Sequence, residues 1–325
     1  MPGCRRYVSK VSERLRLPGI VLAALLLSAH AAQSATCGGA DAEALRWLDK
    51  MSRSNNQVSY HGVVTFQRGT DDMQVVQVAH SVAGDATSER MTQLTGQGAE
   101  VVRRNHPLDC IHPGHKLLRL GQELRSGQCG IADHYRFAVG EGERIAGRKS
   151  VRIRVEPRDM YRFGYVMELD RDTGLLLKTA TVGRGSKVLE RFQFADLSLD
   201  AVLPPDAATE VVHEAEHPVP GHALPATRLS RPWAVAWLPG GFTGTDDAGG
   251  LAGRRTYTDG LAVFSVFLEE LDREMRPGEG VVQRGSTLSY TRGMRLAGSP
   301  VLVTVVGEVP VNTARMVADS LRWDG

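Results

Sequence analysis

Apolar and polar residues alternate through the middle of the chain, over residues 151–199. Val151 and Ile153 are each followed by an arginine, which is the two-residue period of a β-strand with one buried and one wet face. Similar strands follow, joined by glycine-containing turns at residues 170–174 and 183–187. Because no helix interrupts the series, we predict one curved antiparallel sheet of neighbouring strands, with a face that needs a cover.

Helical periodicity is clearest near the two ends of the folded chain. Leu45, Leu48 and Met51 share one stripe of a predicted helix over residues 41–51, and a closing helix is predicted over residues 311–321. Apolar or alternating segments predict the further strands, at residues 58–66, 73–80, 90–94, 100–104, 261–268, 288–291 and 301–306. The sequence therefore predicts an α+β protein that is mostly antiparallel β.

Composition divides the chain into four parts. With 325 residues, 42% of them hydrophobic, it can bury two cores. Residues 1–31 combine five basic residues, a short apolar run and small residues at the end, as in a secretory signal peptide, and no segment is long enough to span a membrane. We predict a large domain at 37–202, a proline-punctuated linker at 203–232 and a smaller domain at 233–325.

The charge of the chain changes when the leader is removed. The whole chain has 39 Lys and Arg against 37 Asp and Glu, but the leader holds five of the basic residues and one of the acidic ones. The mature chain is therefore near −2, and it lacks the basic footprint that nucleic-acid binding requires.

Three cysteines remain after the leader. Cys110 and Cys129 could form a disulfide in an oxidising compartment, which would stabilise the fold by about 3 kcal/mol in the chain-entropy model. Cys37 could be a lipidated N-terminus, but Thr36 fits a lipobox poorly. The segment from His106 to His115 offers imidazole and thiolate ligands, yet its two prolines favour an exposed loop, so no metal site is expected.

No catalytic or cofactor motif is present in the sequence. The chain has no Gly-x-Ser-x-Gly elbow, and the glycines of 183–187 lie between two strands, where a phosphate-binding loop does not occur. Asp170 and Asp172 lie in a tight turn, where acidic residues are ordinary. We therefore expect a protein that is not an enzyme and binds no cofactor.

Several segments carry a resemblance to one family. Residues 237–242, 257–267 and 303–310 resemble the C-terminal domain of the MucB/RseB family, and residues 169–175 and 189–194 resemble its large N-terminal domain. The resemblance follows the domain order through the mature chain. It implies that the large domain has the half-open antiparallel barrel of the lipoprotein carriers.

The resemblance also implies a function. Members are periplasmic negative regulators of an envelope-stress sigma factor of the sigma-E type. They bind the periplasmic domain of a membrane-spanning anti-sigma factor (MucA/RseA-like) and shield it from regulated proteolysis, with release by lipid A, lipopolysaccharide or acyl chains. A homo-oligomer is also possible. The alternative is a periplasmic lipid or lipoprotein carrier that uses the same apolar cavity.

Two sets of residues are candidates for these roles, and each could instead be ordinary core. The anti-sigma partner is predicted to contact four aromatic residues of the smaller domain: Trp233, Trp237, Phe242 and Tyr257. A lipid cavity is predicted on the inner face of the curved sheet, lined by Tyr60, Val64, Phe66, Val76, Tyr165, Met167, Phe192 and Phe194.

Overall fold

The structure is a computed structural model. It describes residues 41–54, 57–70, 72–84, 86–96, 100–104, 130–199, 229, 231–245, 253–272 and 278–324. Within these ranges no helix is both long enough and apolar enough to cross a membrane.

The first part of the described chain forms one nine-stranded antiparallel sheet, here called the large sheet. Its elements are α1 (Ala42–Ser54), β1 (Tyr60–Arg68), β2 (Asp72–Ala83), β3 (Ala86–Gln93), β4 (Glu100–Arg104), β5 (Tyr135–Ile145), β6 (Arg148–Pro157), β7 (Gly164–Asp170), β8 (Leu176–Val182) and β9 (Val188–Ser198). The strand order is β4-β3-β2-β1-β9-β8-β7-β6-β5. Among the described strands β4 and β5 do not pair with each other, so the sheet is open, in agreement with the predicted half-barrel.

Helix α1 covers one face of the large sheet, which we call the inner face. Ala44, Leu48 and Met51 of α1 are buried against β5, β6 and β7, where Ile153 and Leu169 are fully buried. Residues of β1, β2, β8 and β9 continue this apolar layer beyond the helix. The opposite side, the outer face, carries the charged residues that alternate with these apolar ones.

The second part of the chain forms the small sheet. Its elements are β10 (Trp233–Val235), β11 (Thr243–Gly244), β12 (Arg254–Thr258), β13 (Val263–Glu270), β14 (Gly278–Arg284), β15 (Thr287–Leu296), β16 (Ser299–Gly307), α2 (Val311–Asp319) and β17 (Leu321–Trp323). Six strands pair in the order β11-β12-β13-β16-β15-β14, and β10 pairs with β17. Helix α2 packs on β15 and β16 over a core that includes Phe264, Tyr290 and Val303.

The predicted α+β, mostly antiparallel architecture is confirmed, and the differences lie at the ends of elements and in several strands that were not predicted. The first helix extends to Ser54, whose hydroxyl donates a hydrogen bond of 2.8 Å to the Met51 carbonyl oxygen. The closing helix ends at Asp319, because Leu321 begins β17 and pairs with Val235. Strands β5, β10, β11, β12, β14 and β17 were not predicted. In β14 all seven residues are exposed, so none of them marks an inner face.

Candidate functional site

The eight residues predicted to line a lipid cavity lie on one face of the large sheet. Val64 is opposite Val76 on β2 and opposite Phe194 on β9, and Phe66 is opposite Phe192. Thr179 is paired with both Phe192 and Met167, which extends the same face onto β7. Residues directly opposite in a sheet point to the same side, so the register brings this set together on the inner face.

Burial divides this set into two groups. Val64, Met167 and Phe194 are buried, whereas the other five residues are partly exposed: Tyr60, Phe66, Val76, Tyr165 and Phe192. The rings form an edge-to-face series, with centroids 5.7 Å apart for Tyr60 and Phe194 and 5.6 Å apart for Phe192 and Phe194. The partly exposed rings of Tyr60 and Phe192 pack on the buried ring of Phe194, and we call these three rings of the inner face the aromatic surface.

Tyr60 stands at the edge of this surface. Its ring stacks on that of His80 with centroids 5.1 Å apart. Burial, together with the negative charge of Glu89, raises the pKa of the Tyr60 hydroxyl well above its usual value.

A buried ion pair joins the two sheets. The loop between β6 and β7 carries Arg162, whose Nη1 donates a 2.8 Å hydrogen bond to Oδ2 of Asp259 in the turn between β12 and β13, and both side chains are fully buried. The Tyr135 hydroxyl donates to the same carboxylate oxygen at 2.9 Å, and Arg162 Nη2 donates to the Gly240 carbonyl oxygen at 2.6 Å. We call these four residues the interdomain joint.

The small-sheet side of the joint is held rigidly by its own turn. Oδ1 of Asp259 accepts hydrogen bonds from the backbone amides of Leu261 and Ala262, at 2.9 and 2.8 Å. Leu261 packs into the core of the large sheet. Gly241 has φ +84°, and a Cβ there would come within 2.2 Å of the His134 ring. The turn and the neighbouring glycine thus allow a close approach of the two sheets.

Helix α2 supplies a second contact between the sheets. The Thr313 hydroxyl donates a 2.8 Å hydrogen bond to the Tyr161 carbonyl oxygen, and the Tyr161 ring meets Trp237 edge-to-face at 5.2 Å. Farther along the same boundary, burial and the nearby Glu190 carboxylate raise the pKa of Glu308 to about 7. The boundary between the sheets therefore contains a carboxyl group, that of Glu308, whose charge changes near neutral pH.

The aromatic residues predicted to bind the partner lie mainly in the core of the small sheet. Trp233, Phe242 and Tyr257 are 1%, 5% and 7% exposed, and Trp237 is partly buried at the boundary with the large sheet. Phe242 also lies 5.2 Å from the Arg162 guanidinium, so it packs against the joint. Packing in the core therefore explains the burial of Trp233, Phe242 and Tyr257. That any of the four aromatic residues contacts the partner stays a prediction.

The comparisons with known proteins agree with this architecture. The sequence model of the MucB/RseB N-terminal domain matches residues 43–213, and that of the MucB/RseB C-terminal domain matches residues 227–322. The chain belongs to the MucB/RseB family.

Relatives of known name cover most of the chain. The sigma factor AlgU regulatory protein MucB of Pseudomonas aeruginosa is 34% identical over 302 residues, which are 86% of this chain and 91% of that protein. The sigma-E factor regulatory protein RseB of Haemophilus influenzae is 23% identical over 85% of this chain and 90% of its own. The complex structure of Pseudomonas aeruginosa MucA/MucB superposes with a TM-score of 0.70 at 32% identity, covering 87% of this chain and 100% of that chain.

Sequence reasoning identified the inner face of this MucB/RseB chain but not its interdomain joint. Asp259 lies in residues 257–267, one of the segments that resemble the family, yet nothing in that segment indicates its partner. Arg162 is 97 positions away in sequence and belongs to no motif. A pairing between two sheets becomes visible only when both are folded.

Some sequence predictions for this family member fall outside the described residues. They concern Cys37, Cys110 and Cys129, the segment from His106 to His115, and most of the linker at 203–232. In the described part of the chain, no group of three or more His, Cys, Asp or Glu residues is arranged to hold a metal ion.

Proposed function

We propose that this protein is a negative regulator of sigma-E type envelope-stress signalling. It binds the periplasmic domain of a membrane-spanning anti-sigma factor and shields that domain from regulated proteolysis. The observation that carries the proposal is the similarity over 87% of the chain, at a TM-score of 0.70, to MucB in its complex with MucA. The MucB/RseB family is one of regulatory binding proteins, so the protein acts by binding and not by catalysis.

The proposal includes the cellular location of the protein and the limits of its domains. Residues 1–31 direct export to the periplasm, where the partner domain lies. Residues 37–202 and 233–325 form the two domains, and 203–232 form the linker. The two family matches, 43–213 and 227–322, support a division in this region of the chain.

The inner face of the large sheet is the proposed site for a lipid signal. An acyl chain, such as one of lipid A, binds over the partly exposed rings of Phe66 and Phe192 and weakens the hold on the anti-sigma factor. Such a switch requires that the lipid prefer the non-binding state, since equal affinity for both states would shift nothing. The aromatic series on this face supports the assignment.

Titration calorimetry with the mature protein tests both parts. The cognate anti-sigma periplasmic domain is titrated with and without a lipid A fragment, and its cleavage by the regulating protease is followed in parallel. We expect micromolar or tighter binding, protection from cleavage, and loss of both with lipid. Binding that lipid leaves unchanged removes the lipid signal from the proposal.

A lipid or lipoprotein carrier is the second candidate, favoured by the same aromatic surface. A carrier would transfer acylated cargo from a donor to an acceptor, and it would not protect the anti-sigma domain. Absence of protein binding together with measurable cargo transfer would replace the regulator by the carrier.

A further inference from the structure

A cavity of about 660 Å³ lies on the outer face of the large sheet, away from the aromatic surface. Strands β6 to β9 form its floor. The β6–β7 loop and the β8–β9 turn border it, and they place the exposed side chains of Met160 and Val188 at its rim. We call this cavity the trough. Its volume is in the range of ligand-binding pockets.

Strand register arranges charge around an apolar floor in the trough. Arg154 is opposite Val166, Val166 is opposite Ala180, and Ala180 is opposite Arg191. Two arginines therefore end one cross-strand row with two apolar residues between them. Three strand spacings put their Cα atoms about 14 Å apart. Arg184, in the β8–β9 turn, adds a third cation at the rim.

These three arginines differ from the other cations of the trough, which have carboxylate partners. Arg152 pairs with Glu168 and Glu143, and Lys178 pairs with Glu143. Arg162 belongs to the interdomain joint.

By contrast, the side chains of Arg154, Arg184 and Arg191 make no hydrogen bond or ion pair in the part of the chain that the structure describes. The Nε of Arg191 is nevertheless buried. A buried donor without an acceptor is costly, so this atom is available to an acceptor on a ligand. Among the acidic residues of the trough lining, Glu156 alone has no cation partner within the described residues.

We propose that the trough binds an acidic peptide segment in extended conformation. Arginine forks suit carboxylates, which they can bind through two parallel hydrogen bonds. An extended chain rises about 3.3 Å per residue, so carboxylates four residues apart span about 13 Å and match Arg154 and Arg191. The apolar residues between the carboxylates lie on Val166 and Ala180, with Met160 at the rim.

The source of the peptide rests on the proposed function. If the protein holds an anti-sigma factor, the trough is where an acidic segment of that partner docks. The β6–β7 loop that borders the trough also carries Arg162. A peptide in the trough therefore contacts the loop that joins the two sheets.

Binding of the cognate anti-sigma periplasmic domain to mature wild-type protein and to arginine variants tests the proposal. We expect Arg154→Gln and Arg191→Gln to raise Kd about tenfold each, since each removes a charge-assisted contact. Arg322→Gln, an exposed arginine on β17 of the small sheet, is the matched control and should leave Kd unchanged. Wild-type binding should also weaken as salt is added.

The outcomes separate the trough from the proposed function. Binding that both trough variants retain in full overturns the trough and leaves the regulator standing. If wild type does not bind the domain, the regulator fails, and a synthetic peptide acetyl-Glu-Ala-Val-Ala-Glu-amide then tests the trough by itself. The trough is supported if wild type binds that peptide, if both variants lose this binding, and if replacing the Glu residues of the peptide by Gln also abolishes it. If wild type does not bind the peptide, the trough proposal is overturned. If the variants lose binding to phosphatidylglycerol vesicles but not to the peptide or the anti-sigma domain, the arginines bind lipid headgroups. That result would overturn the proposal of a peptide site.

Discussion

Arg162 and Asp259 are the residues whose individual contribution to this fold is easiest to define. Both side chains are fully buried, and each has further hydrogen bonds: Arg162 to Gly240 and Asp159, and Asp259 to Tyr135 and its own turn. A buried pair adds little net stability over an apolar equivalent, because desolvation offsets the attraction. Removing one partner is costly, since the other charge is left buried.

Replacing Arg162 should therefore destabilise the protein strongly. We expect Arg162→Met to lower the free energy of unfolding by about 3–5 kcal/mol, because the Asp259 carboxylate loses its counter-ion. The shift of the first urea transition at pH 7 measures the difference. Arg136→Met, at an exposed position of β5, should change it by less than about 0.5 kcal/mol. An equally small effect of Arg162→Met would contradict this account of the joint.

Glu308 should make stability depend on pH. Burial, with a smaller contribution from Glu190, raises its pKa from 4.5 to about 7 in the folded protein. Between these values the folded state holds a proton that the unfolded state has lost, so this group makes stability fall as pH rises through that window. Above pH 7 the cost reaches at most about 3 kcal/mol.

The Glu308→Gln variant isolates this contribution. We expect the variant and wild type to unfold at similar urea concentrations near pH 4.5, and the variant to be more stable at pH 8. The two urea midpoints, measured across this range, give the difference directly. A parallel pH dependence in both proteins would show that Glu308 does not carry the effect.

At the scale of elements, α1 shows why sequence periodicity worked where it did. The predicted stripe consists of Leu45, Leu48 and Met51. The structure buries Leu48 and Met51 together with Ala44, and Leu45 packs partly buried against the same core. A helix that covers a sheet must present such a stripe, so the sequence records its position. Strand β14 has no buried side, and its alternation therefore carried no signal.

The cover that α1 provides can be weakened at one position. Leu48 is 1% exposed against the inner face, and we expect Leu48→Ala to cost about 2–5 kcal/mol through lost contacts and the cavity left behind. Thermal and urea unfolding measure the loss. Arg46→Ala, on the exposed side of the same helix, preserves helix propensity and should be nearly neutral. Equal effects of the two changes would mean that α1 does not depend on its apolar stripe.

At the scale of the whole molecule, the sequence predicted the two sheets but not how they join. The large-sheet meander, the small-sheet strands β13, β15 and β16 and the closing helix each have a local period, and each is found in the structure. The joint depends on single residues such as Arg162, Asp259 and Gly241, which become neighbours only after both sheets have formed. No local pattern encodes such a contact, so sequence reasoning gave a linker between two domains and no account of their contact.

This joint should make the two sheets unfold together. Leu261 from the small sheet packs in the large-sheet core, and the buried ion pair lies beside it, so separating the sheets exposes a charge and apolar surface at once. We expect one urea transition in wild type and two in Arg162→Met, where the sheets lose their strongest contact. Three of the four tryptophans, Trp233, Trp237 and Trp323, belong to the small-sheet half.

Fluorescence in a Trp47→Phe background therefore follows the small sheet, while far-ultraviolet circular dichroism follows both sheets. Coincident curves are expected with Arg162 intact and separated curves with Arg162→Met, with Arg136→Met as the control that stays coincident. If the fluorescence and circular dichroism curves are already separated in the protein that retains Arg162, the two sheets unfold independently. In that case an acyl ligand on the inner face could change partner binding only through the large sheet itself, because a signal cannot reach the small sheet through a contact that carries no coupling.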